Sequence, residues 1–211
     1  MAVVTITRQF GAGGSRVAQL VAQALGWTVV DNEFVDEVAR RAGLPAEEVA
    51  ARQERAPSLM ERLVRTLASA SPETYVPAAA DGAAEPAEER IVRLNEHVIG
   101  EAAVHGRAVL VGHGAQFVLA RANREDALHA YVVAPREVRV RTIMERLSLP
   151  EAEAAKTLDA TDADRDRYVE RWYGRRRQDP ANYHLVLNTA WLGYDGAADL
   201  VVAAVRRRNW A

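Results

Sequence analysis

Short apolar runs alternate along the chain with longer segments in which apolar residues recur at helical spacing. Residues 2–7 form the first apolar run, and residues 15–25 carry apolar side chains three and four positions apart. A Gly-Ala-Gly-Gly segment at residues 11–14, called the glycine turn below, joins them, and residues 27–30 form a second apolar run. This order predicts strand, turn, helix and strand, which is the opening of a βαβ unit.

The rest of the chain continues the alternation. Apolar runs at residues 108–111, 128–133 and 184–187 predict three further strands. Helical spacing predicts helices at residues 33–41, 45–50, 59–67, 88–105, 115–121, 136–147, 150–172 and 195–207, and the Ala-, Pro- and Ser-rich residues 69–86 predict a loop. Short strands that are apolar throughout and separated by helices indicate an α/β domain over residues 1–211, with a parallel sheet covered on both faces.

Ligands of such sheets bind beyond the carboxyl ends of the strands. The candidate site residues are therefore those that follow each predicted strand. They are residues 11–15, Asp31, residues 112–114 with His113, residues 135–136 with Arg136, and residues 188–189.

The glycine turn has the composition of an anion site. Unpaired amides at the start of a helix point at a ligand, and glycine lets the backbone approach phosphate oxygens closely. Ser15 stands where a G-x-x-x-x-G-K-S/T phosphate loop places its magnesium-binding hydroxyl, but Gly14 takes the lysine position and Arg8 the first glycine position. The alternative is an ordinary tight turn flanked by two solvated arginines, Arg8 and Arg16.

Composition narrows the possible partners. The net charge of −2 argues against a general nucleic-acid binder, and cysteine is absent, which excludes thiolate metal sites and disulfides. No apolar stretch approaches the roughly 20 residues of a membrane span, so we expect a cytoplasmic protein. Lys156 is the only lysine, so any phosphate chemistry must use arginine and backbone amides.

Six segments in fixed order extend this interpretation. They are TRQFGAGGSRV at 7–17, VD at 30–31, VGHGAQF at 111–117, VAPREVRVR at 133–141, DRDRY at 164–168 and LVLNT at 185–189. Together they resemble the cytidylate-kinase-like family, a divergent branch of the P-loop nucleoside monophosphate kinases.

The resemblance implies a three-layer P-loop kinase fold with a five-stranded parallel sheet. It also implies a helical acceptor-binding insert at about residues 43–90 and an arginine-rich lid at about residues 160–178. ATP and Mg²⁺ are the implied cofactors, with Ser15 on the metal. We expect the donor phosphates to bind to Arg8, Gly11, Ala12, Gly13, Gly14, Ser15 and Arg16. We expect catalysis to involve Arg165, Arg167, Arg16 and Asp31. We expect the acceptor to bind to Asp31, His113 and Arg136.

The chain also departs from that family's pattern. Cytidylate kinases carry a lysine where this chain has Gly14, an arginine-aspartate pair where it has His113-Gly114, and an arginine soon after the second strand, whereas here Arg40 is the first. We therefore expect CMP to be a poor acceptor. Asp31 is open to three roles: a substrate ligand, a magnesium ligand or a helix cap.

Three functions follow from these residues. The chain is an ATP-dependent phosphotransferase for a nucleotide or other small acceptor, a nucleotide-binding regulatory module without turnover, or a scaffold that keeps only the fold. The charged lid segment is alternatively a solvated helix held by i,i+4 ion pairs, and His113 is alternatively a packed structural histidine. The sequence does not determine the oligomeric state.

Overall fold

A computed structural model describes residues 2–31 and 87–211. The predicted helices at 33–41, 45–50 and 59–67, the loop at 69–86 and nearly all of the predicted insert lie outside these residues. The elements are β1 (Val3–Arg8), α1 (Gly14–Leu25), β2 (Thr28–Asp31), α2 (Ala87–His105), β3 (Ala108–Val111), α3 (Ala115–Arg121), β4 (Ala127–Val133), α4 (Arg136–Leu147), α5 (Glu151–Tyr173), a 3₁₀ turn (Pro180–Asn182), β5 (Leu185–Asn188) and α6 (Thr189–Arg207).

The five strands form one parallel sheet in the order β2-β3-β1-β4-β5. The central strand β1 pairs with β3 on one side and with β4 on the other, and all six of its residues are buried. This arrangement confirms the predicted α/β fold with a five-stranded parallel sheet.

Alternate residues of β1 enter two cores on opposite faces of the sheet. Val4 and Ile6 pack with apolar residues of α1 and α6, whereas Val3 packs with those of α2 and α3. A third cluster, which includes Ile143 and Leu158, joins α4 to α5. The helices therefore cover both faces of the sheet. The glycine turn follows the carboxyl end of its central strand.

One predicted helix begins at the wrong residue, and one predicted segment is helical only in part. Helix α6 begins at Thr189 rather than residue 195, because the Asn188 side chain accepts from the Ala190 amide and caps it, and Gly193 interrupts it at φ 69°. The arginine-rich segment expected at about residues 160–178 is helical only as far as Tyr173, because Gly174 takes the left-handed conformation. Residues 175–177 are consequently irregular chain.

The outer strands differ from the expected run of apolar, fully covered residues. In β5, Val186 is exposed, and in β2 only Val30 is fully buried. Both are edge strands with a neighbour on one side only among the described residues. No helix within residues 2–31 and 87–211 is long and apolar enough to cross a membrane.

Candidate functional site

The glycine turn leads directly into α1 at the carboxyl end of the central strand. Gly11 and Gly13 have φ values of +79° and +80°, a region that favours glycine. Gly13 is the cap residue of α1 and, as a glycine, makes no side-chain cap hydrogen bond. The Val17 amide makes the first bond back to the Gly13 carbonyl, so the amides of residues 14–16 precede the intrahelical ladder. This is the helix start that the sequence predicts for an anion site.

Neighbouring elements hold the turn closely. A Cβ on Gly11 would lie 2.8 Å from the Arg139 carbonyl oxygen, and one on Gly13 would overlap the Tyr194 ring. The buried hydroxyl of Thr189 donates to the Ala12 carbonyl oxygen at 2.8 Å. The shape of the turn is therefore set by α4 and by the start of α6.

Arg8, Ser15 and Asp31 form a polar cluster beside the turn. Arg8 is only 6% exposed, and its Nη2 lies 3.5 Å from Asp31 Oδ1. The Ser15 hydroxyl donates to Asp31 Oδ2 at 3.3 Å. The sequence left open whether Arg8 is a solvated surface arginine, and its burial excludes that alternative. Arg16, the other flanking arginine, is exposed.

The Ser15–Asp31 pair fits the donor chemistry of Mg²⁺. This ion prefers oxygen ligands and is commonly held by one or two carboxylates together with substrate phosphates. Within residues 2–31 and 87–211, no cluster of three or more His, Asp or Glu side chains is arranged to hold a metal. The protein's part in a magnesium site here would therefore be the hydroxyl of Ser15 and the carboxylate of Asp31.

Helix α5 binds the other end of the turn through Asp162. Its Oδ1 accepts from the Phe10 amide at 3.0 Å, and its Oδ2 lies 2.5 Å from Arg139 Nη1. Arg139 also donates to the carbonyl oxygens of Phe10 and Ala134. The buried Arg139 thus connects the backbone at Phe10 and at Ala134 with the side chain of Asp162 on α5.

Arg177 makes a second clamp from the chain that follows α5. It is 4% exposed, its Nη1 donates to the Arg8 carbonyl oxygen at 2.9 Å, and its Nε donates to Asp166 Oδ1 at 2.6 Å. Burial opposes the charge of Arg177, but Tyr131 and the carboxylates of Asp166 and Asp162 outweigh it and raise the pKa. Arg177 is therefore a fixed cation behind the last residue of β1.

Sequence reasoning did not single out Arg139, Asp162 or Arg177 as site residues. Arg139 and Asp162 lie within charged helices, and Arg177 belongs to a run of three arginines with nothing in the sequence to distinguish it. Each of the three makes a contact with Arg8 or Phe10, more than 100 positions away in the sequence.

The two proposed lid arginines occupy different environments. Arg165 Nη1 donates to the Arg8 carbonyl oxygen at 3.3 Å, and its guanidinium lies 5.5 Å from the centre of the Phe10 ring. Arg167 is 70% exposed in its side chain and pairs with Asp164 on its own helix. The structure brings Arg165 to the turn, but not Arg167. Whether residues 160–178 open and close stays a prediction.

The remaining predicted residues lie around the same edge of the sheet. His113 follows β3 with φ 53°, its ring lies edge-on to Tyr168, and its carbonyl oxygen accepts from the Tyr173 hydroxyl. Arg136 opens α4 and pairs with Asp159 at 2.7 Å, with both side chains more than half exposed. Asp159 raises the pKa of Arg136 through this hydrogen bond.

Comparison with solved structures identifies the fold. An uncharacterized protein from Eubacterium ventriosum is 17% identical with a TM-score of 0.65, over 98% of this chain and 99% of that one. A shikimate kinase from Bacteroides thetaiotaomicron is 12% identical with a TM-score of 0.52, over 100% and 99% of the two chains. The fold is thus that of the P-loop kinases.

Comparison of sequences identifies the family. A uronate isomerase from Corynebacterium glutamicum is 30% identical over 151 residues, which are 72% of this chain. The match spans 28% of that longer protein. The sequence pattern of the cytidylate kinase-like family matches residues 3–190, and the chain belongs to that family.

Proposed function

We propose that this protein is an ATP-dependent phosphotransferase that acts on a nucleotide or another small acceptor. The observation that carries the proposal is the convergence at the glycine turn. A helix start without a side-chain cap lies beside the Ser15–Asp31 oxygen pair, with Arg8 and Arg165 at the same strand end. Phosphoryl transfer requires little beyond this combination of positioning and charge neutralisation.

The proposed roles follow from these positions. The amides of the turn and of residues 14–16 bind donor phosphate oxygens, with the exposed Arg16 as an additional cation. Ser15 and Asp31 would hold Mg²⁺, which would neutralise negative charge on the donor phosphates. Arg165 reaches the transferring group from α5. His113 and Arg136 lie beyond the ends of β3 and β4, where an acceptor binds in parallel sheets.

A panel of acceptors tests the reaction. We expect magnesium-dependent consumption of ATP with at least one member of a panel of CMP, dCMP, UMP and AMP. Shikimate and a uronate belong in the panel because the names of similar proteins refer to hydroxy acids. CMP should be a poor acceptor because His113-Gly114 replaces the expected arginine-aspartate pair. Selective turnover of CMP would contradict this expectation.

Substitution of Arg165 tests its catalytic role. Arg165→Ala should lower kcat by about 10³-fold or more, the magnitude typical of a transition-state arginine, and change ATP affinity far less. Arg107→Ala is the control, because Arg107 is exposed at the amino end of β3, at the opposite edge of the sheet. Equal losses of kcat in the two variants would show that Arg165 has no specific catalytic role.

The second candidate is a nucleotide-binding module without turnover. The observation in its favour is that carboxylates of the protein already bond to groups beside the glycine turn. Asp31 pairs with Arg8, and Asp162 accepts from the Phe10 amide. This function requires ATP to raise the thermal stability of the protein while no acceptor in the panel is phosphorylated. Loss of stabilisation in Ser15→Ala would then locate the binding at the turn.

A further inference from the structure

Gly14 is buried against the side chain of Arg8. A Cβ on Gly14 would overlap the Cβ of Arg8 and would lie 2.9 Å from its Cγ and 3.3 Å from its Cδ. Gly14 is the first residue of α1 and does not have a positive φ, so its backbone does not require glycine. The stem of Arg8 is therefore what excludes a side chain at position 14.

A second glycine makes room for the guanidinium of Arg8. Gly112 follows β3, and a Cβ there would overlap Nη1 of Arg8. The side chain thus lies in a slot between the start of α1 and the end of β3. Its Nη2 faces Asp31, whose other oxygen accepts from Ser15. The guanidinium of Arg8 therefore lies beside the Ser15–Asp31 pair, whose oxygens suit Mg²⁺.

We infer that positions 8 and 14 have exchanged roles in this phosphate loop. The general pattern has glycine at the first position and the phosphate-binding lysine at the seventh. Because the two positions face each other here, only one of them has room for a side chain. This chain carries the cation at the first position, so Arg8 is the donor-phosphate cation and Gly14 is glycine because of it. The inference rests on the proposed function for its ligand but not for its steric basis.

Arginine suits this placement chemically. Its guanidinium is planar, stays charged when buried, and donates two parallel hydrogen bonds to a phosphate. A lysine at the same position would present a single strongly hydrated point charge. In the protein without nucleotide, Asp31 is a carboxylate partner of this cation, whose side chain is only 6% exposed.

A stability cycle on the protein without nucleotide tests the steric exchange. Gly14→Ala should lower the urea midpoint of unfolding when residue 8 is arginine, but should leave the midpoint nearly unchanged when it is made in the Arg8→Gly variant. In the Arg8→Ala variant, Gly14→Ala should still lower the midpoint, because the overlap involves the Cβ of residue 8 itself. The backbone bonds of Arg8 to Arg165 and Arg177 use its carbonyl oxygen and survive each substitution. If Gly14→Ala lowers the midpoint equally in the Arg8→Gly and Arg8→Ala variants, or in neither, the exchange is overturned.

A binding series tests the phosphate role of Arg8, with ATP and inorganic tripolyphosphate as probes. Arg8→Gly should weaken both by about tenfold to a hundredfold, as for one lost hydrogen bond to a charged group. The double variant Arg8→Gly/Gly14→Lys restores the general pattern and should regain most of that affinity. Arg107→Gly is the matched control, because it removes the same charge from an exposed position whose φ of 53° already favours glycine.

The outcomes separate the inference from the proposed function. If the unsubstituted protein binds ATP and Arg8→Gly binds equally well, or if the double variant is no tighter than Arg8→Gly, the phosphate role of Arg8 is overturned and the function stands. If the unsubstituted protein binds neither probe, both the proposed function and the phosphate role of Arg8 fail. In that case, the stability cycle still decides whether Arg8 determines Gly14.

Discussion

Arginines at the two ends of the sheet occupy opposite environments. At the carboxyl ends of the strands, Arg8 and Arg177 are buried and bound to carboxylates and backbone carbonyls. Toward the amino ends of β4 and β5, a cleft of about 1250 Å³ is lined by other arginines, among them Arg121 and Arg208. Arg121 is 62% exposed, and Arg208 lies over the ring of Trp210 at the surface.

The difference shows how each end can use its charge. A buried cation keeps its charge only where partners compensate its desolvation, so its position is fixed before any ligand arrives. Such preorganised charge is what stabilises a developing transition state. Exposed arginines of the cleft, such as Arg121, stay largely in contact with water, although Arg124 in the same cleft is held by Asp126. Net charge alone would not distinguish the two sets.

Removal of Arg177 should have the largest effect on stability. Arg177→Met removes the buried partner of Asp166 and one of the two arginines that pair with Asp162, and such broken pairs typically cost about 3–5 kcal/mol. Urea unfolding at pH 7 measures the loss. Arg175→Met is the control, because Arg175 is exposed two residues earlier, and its free energy of unfolding should change by less than about 0.5 kcal/mol. Similar losses in both variants would erase the contrast between buried and exposed arginines.

Acidification should have the second-largest effect on stability, through a histidine that lines the cleft. Burial, together with the charge of His184, lowers the pKa of His129 to about 4. The unfolded chain protonates this histidine near pH 6.5, so between pH 6.5 and 4 it binds more protons than the native state. Stability should therefore be complete above pH 6.5 and fall by roughly 3 kcal/mol as the pH drops to 4.

Urea unfolding at pH 7 and pH 4.5 measures this dependence, and His129→Gln should remove most of it. His97→Gln provides the control, because His97 is exposed on α2. His184 adds a smaller contribution of the same sign, since burial and the nearby Arg208 also lower its pKa. An unchanged pH slope in His129→Gln would show that another group dominates.

Loss of the Thr189 hydroxyl should have an intermediate effect at the turn. Thr189→Val keeps the shape of the side chain but leaves the Ala12 carbonyl oxygen without this donor, which typically costs about 1–2 kcal/mol. Thr157→Val is the matched control, since the Thr157 hydroxyl donates to the Glu153 carbonyl oxygen of its own helix, α5, in a solvent-exposed hydrogen bond. Affinity for ATP should fall only in Thr189→Val. Equal behaviour of the two variants would show that Thr189 does not position the turn.

Arg121→Ala should have the smallest effect. Arg121 pairs with Glu96 at 3.6 Å and lies 5.7 Å from the Tyr173 ring centre, but its exposure leaves both contacts open to water. Exposed ion pairs contribute about 0–1 kcal/mol, and salt screens them. We expect a shift in the urea midpoint that vanishes at high salt. A loss as large as that of Arg177→Met would show that the cleft end is also preorganised.

Much of the fold could be predicted from local pattern. The runs at 108–111 and 115–121 were located to the residue, because apolar strands and glycine stops leave clear signals. The start of α6 was missed because Gly193 and Gly196 interrupt the helical pattern before residue 197, where the fully buried stripe begins. A capping asparagine directly after a strand could have indicated the earlier start.

The candidate site was only partly predictable. The glycine turn, Ser15 and Asp31 could be found because each follows a strand, and parallel strands direct their carboxyl ends to one edge. The charges of Arg139, Asp162 and Arg177 could not be assigned, because burial of a charged side chain depends on partners distant in sequence. Arg165 and Arg167 looked equivalent in sequence, and only the orientation of α5 separates them.

The phosphate site proposed at the glycine turn lacks a lysine, and this changes which chemical probes can detect it. Reagents that transfer an acyl group from a nucleotide to a nearby amine depend on a lysine beside the phosphates, and Lys156, the only lysine, is exposed on α5. Such reagents should label Lys156 with little regard to nucleotide occupancy. Dicarbonyl reagents, which modify guanidinium groups, are the appropriate choice. Nucleotide should protect the arginines of the loop while those around the cleft continue to react.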